Sequence, residues 1–341
     1  MRGLERLRRA AGWPGIRSGG KALVLCYHRI NEACTDPRLC VTPSHFAEHL
    51  EALRQCARPI SLQQLSRALS GGSLPDRSVV VTFDDGYADN LYNAKPLLER
   101  HGIPATVFVI TGYIGQEREF WWDELDRLFL HPGTLPENLD LSANGSRYHW
   151  QLDEAENHSE ETPRRQRRWR PGEKMLGSYR SLYKSLWKLL RSMDEGERQK
   201  VLQELQGWSG AKEVMRPSHR PLSSDEVVAL GHGGLVEVGA HTITHPALRR
   251  LPPDSQRDEI LGSKARLEEI LSRPVTSFSY PYGNLSEQTA DIVRETGFSC
   301  ACTTVADVVR PSSERFQLPR VEVQDWNGEQ FAGRLSSWLS G

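Results

Sequence analysis

VVVTFDDGYADN, residues 79–90, decides the fold. A β-branched run, Val79 to Thr82, ends in Phe83, two acids and Gly86, so a strand opens into a loop where Gly86 relieves the backbone. Similar runs occur at ALVLCYH (22–28), ATVFVI (105–110), LVEVGA (235–240), VTSFSY (275–280), FSCACT (298–303) and LPRVEV (318–323), about seven strands in all. Helical signals lie between them. Thr42 and Pro43 open a helix with Phe46, Leu50 and Leu53 at i, i+4 and i+7. Ala88–His101 is closed by Gly102, Asp254–Ser272 carries Ile260, Leu267, Ile270 and Leu271, and Ser286–Thr296 stops at Gly297. This alternation predicts βα units around a parallel sheet or barrel.

The rhythm breaks at 115–220, where Trp121, Trp122, Leu125 and Leu128 suggest one helix and Ser181–Gln206 one or two more. The expected organisation is an extension at 1–20, an α/β core at 21–114 and 221–341, and a mostly helical insertion at 115–220. Inside the insertion an acidic run (153–161) abuts RRQRRWR (164–170), read as solvated loop rather than a polyanion patch.

With 341 residues, 38% apolar and 26% charged, the chain has enough material for an enzyme-sized core. A net charge of -1 argues against disorder and against a nucleic-acid partner. Six cysteines, at 26, 34, 40, 56, 300 and 302, form no CxxC pair and are expected to be mostly reduced. The basic start, MRGLERLRRAAGWPG, lacks the apolar stretch of about 7 to 15 residues that a cleavable export signal needs. No apolar run approaches the ~18 to 20 residues of a membrane span. The expected location is cytoplasmic or peripheral to the membrane, with Leu4, Leu7 and the arginines forming either a short interfacial helix or a frayed end.

Three constellations carry chemistry. Asp84 and Asp85 end a strand, where barrel enzymes build their sites. Adjacent carboxylates repel and alternate in direction along an extended chain, which suits one to a cation and the other to a proton, although a bare DDG also fits a turn. LVEVGAHTITHPAL (235–248) runs into His241 and His245 at i, i+4, which one turn of helix would bring to the same side. Two histidines and a carboxylate leave coordination positions open, as catalytic zinc or iron sites require. SYPYGN (279–284) places Pro281 and Gly283 in a tight turn whose N–H groups could face an oxyanion.

TFDDG, HTITH and YPYG, in this order, resemble the first three motifs of the polysaccharide deacetylase family, the NodB-homology or carbohydrate esterase family four enzymes. The resemblance spans roughly 21–114 and 221–325. It implies a distorted (β/α)7 barrel that removes N-acetyl groups from an amino-sugar glycan. Asp84 would be the general base, and Asp85, His241 and His245 the ligands of a divalent ion, zinc first, with cobalt, manganese or nickel as alternatives. The Tyr282 backbone N–H would help hold the oxyanion.

Two departures from the family pattern assign further residues. No histidine follows His245, whereas many relatives take their general acid from a late motif. His28, at the end of the first strand, is the expected substitute, with a rim histidine satisfied by hydrogen bonds as the alternative; the resemblance to relatives that deacetylate biofilm poly-N-acetylglucosamine, which have a circularly shifted order and an N-terminal histidine in this role, supports the first reading. Ser279 stands where many relatives have an arginine that tunes the base. Arg320 could approach Asp84 and keep it ionised, or be a surface arginine on the barrel rim. Rival readings are a mononuclear iron oxygenase, which has no use for Asp84, a glycan-binding pseudoenzyme, and a deformylase acting on a lipid-linked amino-sugar.

Overall fold

The computed structural model describes residues 20–32, 39–71, 73–130, 135–152, 178–211 and 214–340. The expectations for the N-terminal extension and for the charged runs at 153–161 and 164–170 lie outside the described residues. The chain separates into two compact units, residues 1–115 with 222–341, and residues 116–221.

The larger unit is a parallel sheet of seven strands: β1 (Ala22–Tyr27), β2 (Ser78–Phe83), β3 (Ala105–Val109), β4 (Val236–Ala240), β5 (Ser277–Ser279), β6 (Cys300–Cys302) and β7 (Val321–Glu322). Their spatial order is β6-β5-β4-β3-β2-β1-β7, and Arg58–Pro59 adds a short pairing to β2. All seven expected strands enter this one sheet. The last segment reaches both of its edges. Leu318 bridges Cys302, and three residues later Val321 and Glu322 pair with Leu25 and Cys26, so one stretch of chain draws the sheet into a curled barrel.

Helices cover the outside because alternate strand residues point there. Leu23, Leu25 and Tyr27 of β1, with Val79, Val81 and Phe83 of β2, pack with Phe46, Leu50 and Leu53 of α1 (Pro43–Cys56) in the larger cluster. Thr42 caps α1 by accepting from the His45 N–H, as its sequence predicts. The opposite parity, Ala22, Val24, Val80, Phe108, Cys300, Cys302 and Leu318, fills the interior. There it meets Leu62, Leu65 and Leu69 of α2 (Leu62–Ser70). One end of the interior is therefore filled with apolar side chains. Following the same parity toward the C-terminal ends of the strands leads to Cys26, His28, Thr82 and Asp84, which assembles polar groups at the other end.

The smaller unit has helices at Trp121–Leu130, Ser178–Arg191 and Glu195–Ser209. Beyond the expected helices it carries an antiparallel hairpin, Asn138–Ala143 with Ser146–Gln151. Asn144 and Gly145, both at positive φ (49° and 72°), make its turn. Cys26, Cys56, Cys300 and Cys302 are free thiols, in line with a mostly reduced set, and Cys40 is disulfide-bonded.

Candidate metal centre and base

Asp84 directly follows β2, and its backbone N–H still donates to the Tyr27 carbonyl (2.9 Å), which keeps it in sheet register and aims it inward. Extended geometry ends there. Asp85 has φ 73° and Gly86 φ 79°. A Cβ on Gly86 would lie 3.0 Å from a Val109 methyl, so a glycine is needed for space as well as for conformation. The two acids are thus separated by a left-handed turn rather than by strand alternation, and both are buried at 4% exposure.

His241 and His245 also meet differently from expectation. Residues 241–247 are not helical, and Thr242 (φ 66°) and His245 (φ 58°) take left-handed conformations. The loop is held by its own side chains and by one from outside. Thr242 Oγ1 accepts from the His245 N–H at 3.0 Å. The Glu259 carboxylate, from the helix Pro253–Leu271, accepts from the N–H groups of Ile243 and Thr244 at 2.8 and 2.9 Å. Both imidazoles still reach one point, their ring centroids 4.8 Å apart. Tyr282, at φ 58°, lays its ring 4.4 Å from that of His245. Four of the seven described non-glycine residues at positive φ therefore lie in the three motifs, and such conformations persist where surrounding structure enforces them, typically at functional sites.

The donor set fits a divalent ion. Asp85 Oδ1 lies 3.7 Å from Nε2 of His241 and 3.7 Å from Nε2 of His245. These contacts are too long for hydrogen bonds. They approach the ~3.4 Å that separates ligand atoms on a tetrahedral ion with bonds of ~2.1 Å. His241 Nδ1 donates to the Ser279 carbonyl at 2.7 Å, which fixes the tautomer and leaves the Nε2 lone pair facing inward. Burial lowers the His241 pKa, favouring the neutral form that binds metal, against the pull of Asp84 and the Ser279 carbonyl. Asp85, His241 and His245 could therefore hold a metal ion together.

Asp84 is held in a different way. Arg320, 1% exposed, donates from its two terminal nitrogens to Oδ1 at 2.7 Å and Oδ2 at 2.6 Å. Its other donors reach Thr303 O (2.8 Å), Ser279 Oγ (2.8 Å) and Thr82 Oγ1 (3.2 Å). Of the two alternatives left open for Arg320, the structure has the approach to Asp84, and Ser279 serves as a hydrogen-bond partner of both. Burial alone would push the Asp84 carboxyl up, but Arg320, with His241 and His28 behind it, outweighs burial and holds it well below the usual carboxylate range. Asp84 Oδ2 is 3.9 Å from His241 Nε2, so this oxygen faces the ligand set.

His28 stands at the same rim, half-buried, and with Cys26 and Asp84 forms a second group of ligand-type atoms within 4.8 Å of one another. Its Nδ1 is buried and has no hydrogen-bond partner among the described residues. Burial lowers its pKa, while the carboxylates of Asp84 and Glu322 act in the opposite sense. Sequence reasoning missed Cys26, Thr82, Ser279 in its present role and Glu259. For the first two the signal was available, since they share strand parity with His28 and Asp84.

A family model for polysaccharide deacetylases matches residues 71–133 and 206–301, which contain Asp84, Asp85, His241, His245 and Tyr282. This match, with the curated relatives and the solved structures, supports the polysaccharide deacetylase family for this chain. Among curated members, the chain is similar to YxkH of Bacillus subtilis, 28% identical over 123 residues, which cover 36% of this chain and 43% of that one. It is also similar to the poly-beta-1,6-N-acetyl-D-glucosamine N-deacetylase of Staphylococcus aureus, 32% identical over 110 residues, which cover 28% of this chain and 38% of that one. These alignments span less than half the length of each curated relative. The structure of IcaB from Ammonifex degensii shares the fold, with TM-score 0.58 and 22% identity, over 95% of this chain and 98% of that chain.

Proposed function

We propose that this polysaccharide deacetylase family member is a metal-dependent N-deacetylase of a glycan built from N-acetylated amino-sugars. The observation that carries the reading is a buried carboxylate, Asp84, kept ionised by Arg320 and facing a two-histidine, one-carboxylate ligand set. Hydrolysis of an amide needs a group to take a proton from water beside an electrophilic centre, and an iron oxygenase would have no use for such a base.

A divalent ion held by Asp85, His241 and His245, zinc first, would polarise the acetyl carbonyl and acidify a water. Asp84 takes the proton of that water at Oδ2, the oxygen facing the ligands. The Tyr282 backbone N–H, presented by the left-handed turn after Pro281, stabilises the oxyanion that develops on the acetyl oxygen. His28, which lies with Asp84 at the same rim, then donates a proton to the departing amine. The likeness to the Staphylococcus aureus enzyme supports a β-1,6-linked N-acetylglucosamine polymer as the glycan.

The test is acetate release from β-1,6-linked N-acetylglucosamine oligomers, alongside formate release from N-formylated sugars, with bound metal quantified in the same samples. Acetate release that disappears on chelation, and is lost in a metal-loaded Asp84→Asn protein, is the expected result. Metal-loaded protein that releases only formate would make it a deformylase, and release of neither acid would make it a glycan-binding barrel.

A further inference from the structure

The loop that carries Asp84 and Asp85 continues as Tyr87-Ala88-Asp89-Asn90, and these residues reach across to the segment that carries His28. Asn90 is 1% exposed, and its Nδ2 donates to the His28 carbonyl oxygen at 2.9 Å and to Asp89 Oδ1 at 3.2 Å. Both partners are acceptors, so the amide has only this orientation. Asp89 grips the residues just after His28. Its Oδ1 accepts from the Ile30 N–H (3.2 Å), and its Oδ2 accepts from Arg29 Nε (3.1 Å) and Asn31 Nδ2 (3.5 Å). Asn93 adds a bond from Nδ2 to the Ile30 carbonyl at 2.7 Å.

Two features go beyond ordinary loop packing. Residues Asn90–Ala94 form a π-helical turn, with the Lys95 N–H donating to the Asn90 carbonyl, and single π turns of this kind concentrate at functional sites. The Asn90 Oδ1, in turn, is buried without a hydrogen-bond partner among the described residues. A buried acceptor left unsatisfied opposes folding, so the amide is retained here for what its donor side holds.

We infer that Asn90, supported by Asp89, is a positioning residue that sets His28 against the leaving amine, a role that rests on the reading of His28 as the acid. One loop then supplies the base, a metal ligand and the clamp on the acid, so the two proton-transferring groups are held to a common frame. Effective proton transfer requires hydrogen-bond distance, and displacement of about 1 Å costs on the order of 100-fold in rate.

The experiment compares Asn90→Ala, His28→Ala and the double variant, each checked for bound metal and thermal unfolding, on an N-acetylated glycan and on an activated acetate ester whose leaving group needs no proton. Asn90→Ala should lose roughly 10- to 100-fold on the amide and much less on the ester. Bound metal should be unchanged, and no further loss should appear in the His28→Ala background. Asn90→Ser, which keeps a short donor, should recover part of the rate. Equal losses on amide and ester, or a loss of the same factor with and without His28, would overturn the positioning role. If His28→Ala itself leaves amide turnover intact, the acid assignment fails. If His28→Ala is impaired and Asn90→Ala is not, only the positioning role falls.

Discussion

Arg320 grips both carboxylate oxygens of Asp84 although 236 residues separate the two in sequence. The pair is fully buried, so each partner depends on the other for charge compensation. Removing one partner of a buried ion pair commonly costs about 3–5 kcal/mol because the remaining charge is stranded. Arg320→Met is expected to unfold at markedly lower denaturant and to lose deacetylation. In whatever folded protein survives, the acid limb of its rate profile should move to higher pH, because the burial that raises the Asp84 pKa has lost its main opposing charge. Arg320→Lys should restore little, since a single ammonium cannot make the paired contacts. A variant with wild-type stability and an unmoved acid limb would refute this role for Arg320.

Metal should bind through Asp85, His241 and His245 and stabilise the fold as it does so. Bound ligand at 100 times its Kd adds about 2.7 kcal/mol to stability. The unfolding temperature is therefore expected to rise with added zinc in the wild type and to stay flat in Asp85→Asn and His241→Ala. Stoichiometric zinc retained by both variants, measured by elemental analysis, would place the ion elsewhere.

Loss of the acid should be felt only where the leaving group needs a proton. His28→Ala is expected to lose about 10² to 10⁴ in rate on an amide while keeping its metal. Because burial lowers the His28 pKa, its protonated form is lost as pH rises through a value below that of an ordinary histidine. The alkaline limb of amide turnover should therefore lie low in the wild type and vanish in the variant. Superimposable profiles from the two proteins would return His28 to a structural role.

Away from the site, His49 predicts an acid-sensitive fold. It lies between Tyr27 OH and the Trp326 carbonyl, stacked 4.1 Å from Phe331, and burial lowers its pKa to about 4. Below pH 6.5 the unfolded chain takes up a proton there that the fold refuses, so stability rises with pH between about 4 and 6.5. From pH 7 to 5 this residue alone should remove about 2 kcal/mol. Urea unfolding of His49→Gln, which can still donate to the Trp326 carbonyl, should show a shallower pH dependence across that window, and identical slopes would exclude His49 as its source.

The strands and the cluster of Asp85, His241 and His245 were legible because each rests on a local signal, a β-branched run ending in acids or a histidine pair at fixed spacing. Arg320 and His28 were legible only as departures from a pattern, since their partners lie far along the chain. How His241 and His245 converge was not legible, because a spacing of four residues is satisfied equally by a helical turn and by a loop with Thr242 and His245 at positive φ. Glu259 was hidden for a related reason. On a helix rich in charge, nothing local marks the one carboxylate that caps Ile243 and Thr244. The Asn144-Gly145 turn was readable, and the first of its strands alternates buried and exposed residues, but the helical signals on either side dominated that region.

The segment that draws the sheet closed by touching β6 at Leu318 and β1 at Val321 also carries Arg320 between those two contacts. During synthesis, His28, Asp84 and Asp85 leave the ribosome more than two hundred residues before the cation that stabilises Asp84. A nascent chain can therefore form most of its strands before the cation that pairs with Asp84 has been translated, and Asp84 can be buried without penalty only once that cation arrives. Barrel closure and charge pairing of Asp84 thus become a single late event, set by the last strand to be made.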